Sequence, residues 1–236
     1  MKPKFTLFLI FLLFCYSGFM YAQTTETFET EAIGSTAFTD NGKVFTITNE
    51  SAAQFSISES YQEGWNGTAI DNRFIDNLST FSFNAPIQFR ISTQDGSLFT
   101  LKSFYLLLAT ASFNLNVSGS LTITGKIQGS TVFSLTQNSP FNTSFGVNNG
   151  YTFINMSSFG GQNVENTLID SYTISTTGNI AYLALDAMNW QVGQTPINII
   201  STSSTNVSCN GGANGTASVT ATGTNLTYDW TPGNPA

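Results

Sequence analysis

The chain has 236 residues, 14 of them acidic and 7 basic, for a net charge of −7, and it contains no histidine. The negative balance makes nucleic acid and anionic membranes poor partners. The missing imidazole removes Ser-His-Asp and Cys-His triads and the usual zinc sites. Only 9% of residues are charged while phenylalanine alone occurs 21 times, which predicts a hydroxyl- and amide-rich surface over an aromatic β core.

Residues 1–22 read as a secretory signal peptide. Lys2 and Lys4 supply the positive start, Phe5 to Phe14 the apolar run, and Tyr21-Ala22-Gln23 a small-residue cleavage point. The run is about half the roughly 20 residues a spanning helix needs, so no membrane insertion is expected. Cys15 would suit a lipid anchor, but Phe14 stands where a small residue is wanted. The mature protein is therefore expected outside the cell or on the outer cell surface, with Cys209 as its one cysteine within these residues.

From Phe28 to Val192 apolar residues recur with period two. Phe45 with Ile47 and Phe55 with Ile57 predict early strands, and Asp40-Asn41-Gly42 predicts a tight turn joining Phe38 to Phe45. The stretch from Tyr61 to Thr68, rich in aromatics and amides, is expected to be a loop. Phe81 to Ile91 alternate over a long extended run that Pro86 interrupts, which calls for a sheet edge or a bulge there. Phe104 to Leu108 carry apolar residues on both parities, as in a strand covered on both faces or a buried helical turn. Further alternation marks Phe113-Leu115-Val117, Leu121-Ile123-Ile127 and Phe133-Leu135. Later strands fall near Tyr151–Ile154, Tyr172–Ile174 and Ile180–Leu185. About ten short strands without an amphipathic helix predict an all-β fold, an antiparallel jelly-roll β-sandwich over residues 23–195. Pro196 and the Ser/Thr run after it read as a linker over 196–204.

Beyond it lie Asn206-Val207-Ser208-Cys209-Asn210-Gly211-Gly212, then Asn214 to Val219, then Tyr228-Asp229-Trp230. Together these resemble the opening of an SprB repeat, an immunoglobulin-like β module found in tandem in large gliding and adhesion proteins of Bacteroidetes, many of them exported by type IX secretion. The resemblance covers residues 205–236, the first part of a repeat, and implies a partner for Cys209 after Ala236. The main module is similar, through Glu26-Thr27-Phe28-Glu29 and Ala184 to Trp190, to jelly-roll modules of the carbohydrate-binding and MAM-like kind. In those a Phe-Glu near the start and a Leu-Asp near the end lie side by side.

Three sets of residues could carry chemistry. Glu29 and Asp186, if the first and last strands pair, could share a structural calcium ion, a hard cation suited to oxygen ligands; otherwise both are solvated strand-end acids. Tyr61, Trp65 and Asn66 could bind an extracellular glycan, with the rings as platform; otherwise Trp65 plugs the end of the sandwich. Glu59 with Glu63 and Asp71 with Asp76 are the acid pairs glycoside hydrolysis would need, but acids in polar loops are more often solvated or metal-bound than poised for proton transfer. The sequence thus points to a non-catalytic secreted surface protein of the adhesin type. The competing expectation is an accessory targeting region of a secreted polysaccharide-degrading enzyme whose catalytic domain follows residue 236.

Overall fold

A computed structural model describes residues 23–78, 86–194, 197–206, 208, 214–223, 226 and 228. The signal peptide, Phe81 to Ala85, Pro196, Cys209 and the Asp229-Trp230 pair lie outside the described residues.

The main body is an antiparallel β-sandwich. Its strands are β1 (Thr24–Glu26), β2 (Ala37–Asp40), β3 (Lys43–Asn49), β4 (Ser56–Trp65), β5 (Ile70–Asp76), β6 (Gln88–Thr93), β7 (Phe99–Ala109), β8 (Ser120–Ile127), β9 (Ser130–Asn138), β10 (Thr152–Asn155), β11 (Ser171–Thr176) and β12 (Tyr182–Val192). One sheet runs β10-β7-β12-β5-β4, with β1 also joining β12; the other runs β2-β3-β6-β11-β8-β9. The predicted all-β class and the pairing of first strand with last are both present, Glu26 lying opposite Met188. Between the sheets a single apolar core joins Phe104, Leu106 and Leu108 of β7 to Phe89 and Ile91 of β6 and Ile123 of β8. Such alternation leaves one face of each strand for the core and sets the register, because a one-residue slip would turn every side chain over.

β7 departs from this rule. Its odd residues are also covered: Leu107 and Ala109 join Phe74, Leu115, Tyr151, Tyr182 and Ala184 in a second cluster on the outer side of the first sheet. The double parity of Phe104 to Leu108 is thus that of a central strand, flanked by β10 and β12, and not of a helical turn. The Asp40-Asn41-Gly42 turn is also present, with φ of 46° at Asn41 and 73° at Gly42, and Asp40 Oδ2 there accepts the Trp190 indole N–H at 2.7 Å.

Three expectations are corrected, and a fourth, the extended run through Pro86, lies partly outside the described residues. Phe113, Leu115 and Val117 form no strand; the segment is held by tight-turn bonds such as Phe113 N–H to Thr110 C=O at 2.9 Å, with Leu115 buried in the outer cluster, Phe113 against Tyr182 of that cluster and Val117 against the inter-sheet core. Pro86 interrupts no described strand. It precedes β6, an interior strand between β3 and β11, and there the missing N–H costs no ladder bond. Tyr61 to Trp65 is the end of β4 and not a loop, with the turn confined to the residues after it. The linker expected over 196–204 is largely a strand, β13 (Asn198–Thr205), paired with β14 (Thr216–Thr222) in a two-stranded sheet of its own. The Ser/Thr run that reads as a linker by composition has partners across the pair, such as Ser203 with Ser218 at 2.7 Å and Thr205 with Thr216 at 2.7 Å. Among the described residues no helix is long and apolar enough to cross a membrane.

Candidate functional site

Two irregularities in the first sheet build the site. β4 pairs with β5 from Ser56 opposite Asp76 to Glu59 opposite Arg73, then resumes with Gly64 opposite Asp71. The extra β4 residues bulge, with Gln62 at φ 60° and its N–H on Asn72 Oδ1 at 2.9 Å. β12 shifts register against β7 between Asp186 and Asn189, and Ala187 there has φ 48°. Bulges re-aim side chains. These two send Asp71 and Asp186, 115 positions apart in sequence, to the same place.

Gly64 lies between them. A side chain beginning at Gly64 would meet Asp71 Oδ1 at 2.1 Å and Asp186 Oδ2 at 3.1 Å, so only glycine leaves room for the two carboxylates. Asp186 is fully buried and Asp71 is 9% exposed. Asp186 accepts the Trp65 backbone N–H at 2.8 Å and its neighbour Ala187's N–H at 2.6 Å. The Asp71 oxygens are buried and meet no N–H or hydroxyl donor, and the Tyr151 hydroxyl and the Trp65 indole N–H are likewise buried without a partner. Burial pushes the Asp71 carboxyl up to about 6, against the lowering effect of its hydrogen bond with the Asp186 carboxyl, and the neighbouring Glu29 charge adds to the rise. The Asp186 carboxyl is raised by burial and then by Asp71. Burial likewise raises the Tyr151 phenol, with the charges of Asp186 and Asp71 adding to it. No basic side chain offsets the pair among the described residues. Arg73, two positions along β5, spends its guanidinium on the Glu29 and Glu31 carbonyls at 2.9 and 2.8 Å and on Glu59 at 3.0 Å.

Glu29, expected opposite Asp186, is instead tied to β5. Its Oε1 accepts the Asn72 and Arg73 N–H groups at 2.8 and 2.6 Å, which sets its charge beside Asp71. Of the acids weighed in pairs from sequence, Asp71 lies in this site but without its expected companion Asp76. Glu59 is bridged to Arg73, and the fully buried Asp76 is satisfied by Ser58, the Leu78 N–H and Tyr182.

The glycan residues also separate. Tyr61 is 80% exposed, whereas Trp65 is half-buried and packs edge-on against Tyr105, ring centres 6.3 Å apart. Tyr105 in turn lies 4.9 Å from Phe153, which is 47% exposed. Phe153 is opposite Tyr105 in the β10–β7 register, and Tyr105 is opposite Asp186 in the β7–β12 register. A row of three rings, Trp65, Tyr105 and Phe153, thus runs beside the carboxylate pair. Trp65 does not plug the end of the sandwich; it belongs to this face, against the outer cluster. Asn66 Oδ1 is occupied within its own turn, by the Thr68 N–H and hydroxyl and the Ala69 N–H at 2.8 to 3.0 Å. Sequence reasoning missed Tyr105 and Phe153, for which the odd-parity aromatic in a doubly covered strand was the available signal.

No family model matches the chain, and no curated protein matches it. Among solved structures it is similar to a DUF4465 family protein from Bacteroides caccae, at 12% identity over 72% of this chain and 99% of that one, with a TM-score of 0.44. It is also similar to the enzymatically active domain of bacteriophage CBA120 tailspike protein 4, at 14% identity over 63% of this chain and 19% of that one, with a TM-score of 0.35.

Proposed function

We propose that the protein is a non-catalytic, secreted surface module of the adhesin type that grips extracellular glycan on the outer face of its first sheet. The row of Trp65, Tyr105 and Phe153 carries this reading. Pyranose rings present an apolar face to such platforms, and the surrounding amides and hydroxyls suit their hydroxyl groups. Tyr61, exposed on the same hairpin, extends the surface. The non-catalytic part rests on depth. Glycoside hydrolysis needs two acids astride a sugar bond, and Asp186 is fully buried beneath the sheet's covering. The likeness of residues 205–236 to an SprB repeat supports placement in a multi-module adhesion protein exported by type IX secretion.

A glycan array probed with the purified protein tests the reading. Wild type should give weak but selective signals, and Trp65→Ala and Tyr105→Ala should each reduce them by about tenfold or more. A blank array, or signals unchanged in both variants, would leave a spacer without ligand as the better description.

A further inference from the structure

We propose that Asp71 and Asp186 bind a single divalent cation, calcium, between β4, β5 and β12. Two carboxylates converge over Gly64, which leaves room for them by lacking a side chain, and the buried Asp71 oxygens meet no N–H or hydroxyl donor, their one side-chain partner being the Asp186 carboxyl. A buried carboxylate is ordinarily satisfied by donors or by a metal, because desolvation otherwise goes uncompensated. The Tyr151 hydroxyl, also buried and unpartnered, adds a third idle oxygen that feels the charge of both acids.

The donor set selects the ion. All the idle ligand atoms are oxygen, and the chain has no histidine, so zinc and copper are disfavoured and a hard cation is favoured. Among the described residues no three acidic or His/Cys side chains converge in metal-holding geometry. The remaining positions therefore fall to neutral oxygens and water, which calcium accepts in irregular arrangements and magnesium does not. With two carboxylates, affinity belongs to the weak extracellular range, dissociation constants of roughly 0.1 to 1 mM. Glu29 is a positioning residue here: its Oε1 is held by the Asn72 and Arg73 N–H groups next to Asp71.

Thermal melts in 5 mM calcium and in chelator, paired with terbium luminescence excited through tryptophan, test the site on the purified protein. Calcium should raise the wild-type melting temperature by several degrees, as mass action requires for an ion bound only by the folded form. Terbium emission should appear and be competed away by calcium. Asp71→Asn and Asp186→Asn should lose both responses, Asp95→Asn on the surface should keep both, and Glu29→Gln should keep most of the shift. Asp71 bonds to no side chain other than Asp186, so Asp71→Asn decides alone if Asp186→Asn fails to fold. Identical wild-type melts with and without calcium overturn the site. So does a calcium shift that survives in Asp71→Asn, or a calcium-insensitive protein that gains stability on acidification because the pair holds a proton instead.

Discussion

Glu26 sits where the first strand meets the last, buried opposite Met188, with its Oε1 accepting the Phe28 N–H. Burial is the main reason its carboxyl is pushed up from 4.5 to about 7, against the lowering pull of that N–H; the charges of Asp40 and Glu31 add to the rise. The folded state therefore keeps a proton that the unfolded chain releases. Stability from this group is fully present below about 4.5 and is lost as pH rises through about 7. Urea unfolding of Glu26→Gln should thus show a flatter dependence between these limits than wild type; equal slopes would mean the carboxyl is not protonated in the fold. Residue identity alone did not reveal Asp71 as the companion of Asp186. The two meet through positive-φ backbone at Gln62 and Ala187, and neither residue type announces a bulge as glycine or asparagine would. Glu29 was legible as an acid near the site, but its oxygen goes to backbone donors that no sequence pattern displays.

β7 illustrates what periodicity can and cannot deliver for an element. Apolar residues on both parities from Phe104 to Leu108 indicate two covered faces, and the strand has them, with Leu106 in the inter-sheet core and Leu107 in the outer cluster. Leu107→Ala should then cost about as much as Leu106→Ala, roughly 2 to 4 kcal/mol in chemical denaturation. A loss below about 0.5 kcal/mol, the level of a surface change, would mean the outer cluster is not a core. The same rule misread Phe113 to Val117, because three alternating residues also fit a turn-rich segment with one buried anchor. It missed the length of β4 as well, since Gln62-Glu63-Gly64 carries turn chemistry inside a bulged strand.

At the scale of the whole molecule, one core joins two six-stranded sheets, whereas among the described residues β13 and β14 pair with each other alone and contain no buried residue. A chain ending at Gln194 should therefore melt cooperatively at the same temperature as the longer one; a broad or lowered transition would place the domain boundary elsewhere. Fold class was readable because alternation is local. The aromatic row was not, because Trp65, Tyr105 and Phe153 come from three strands whose adjacency depends on sheet order. Phe153→Ser separates the functional reading from a structural one most directly. Phe153 is 47% exposed and stands over Tyr105, so its loss should leave the melting temperature within about 2 °C. Titration with a glycan identified on the array should, in contrast, show affinity reduced by about tenfold or more. Unchanged affinity together with a melting temperature lowered by several degrees would contradict the account and make the row a packing feature of the sheet.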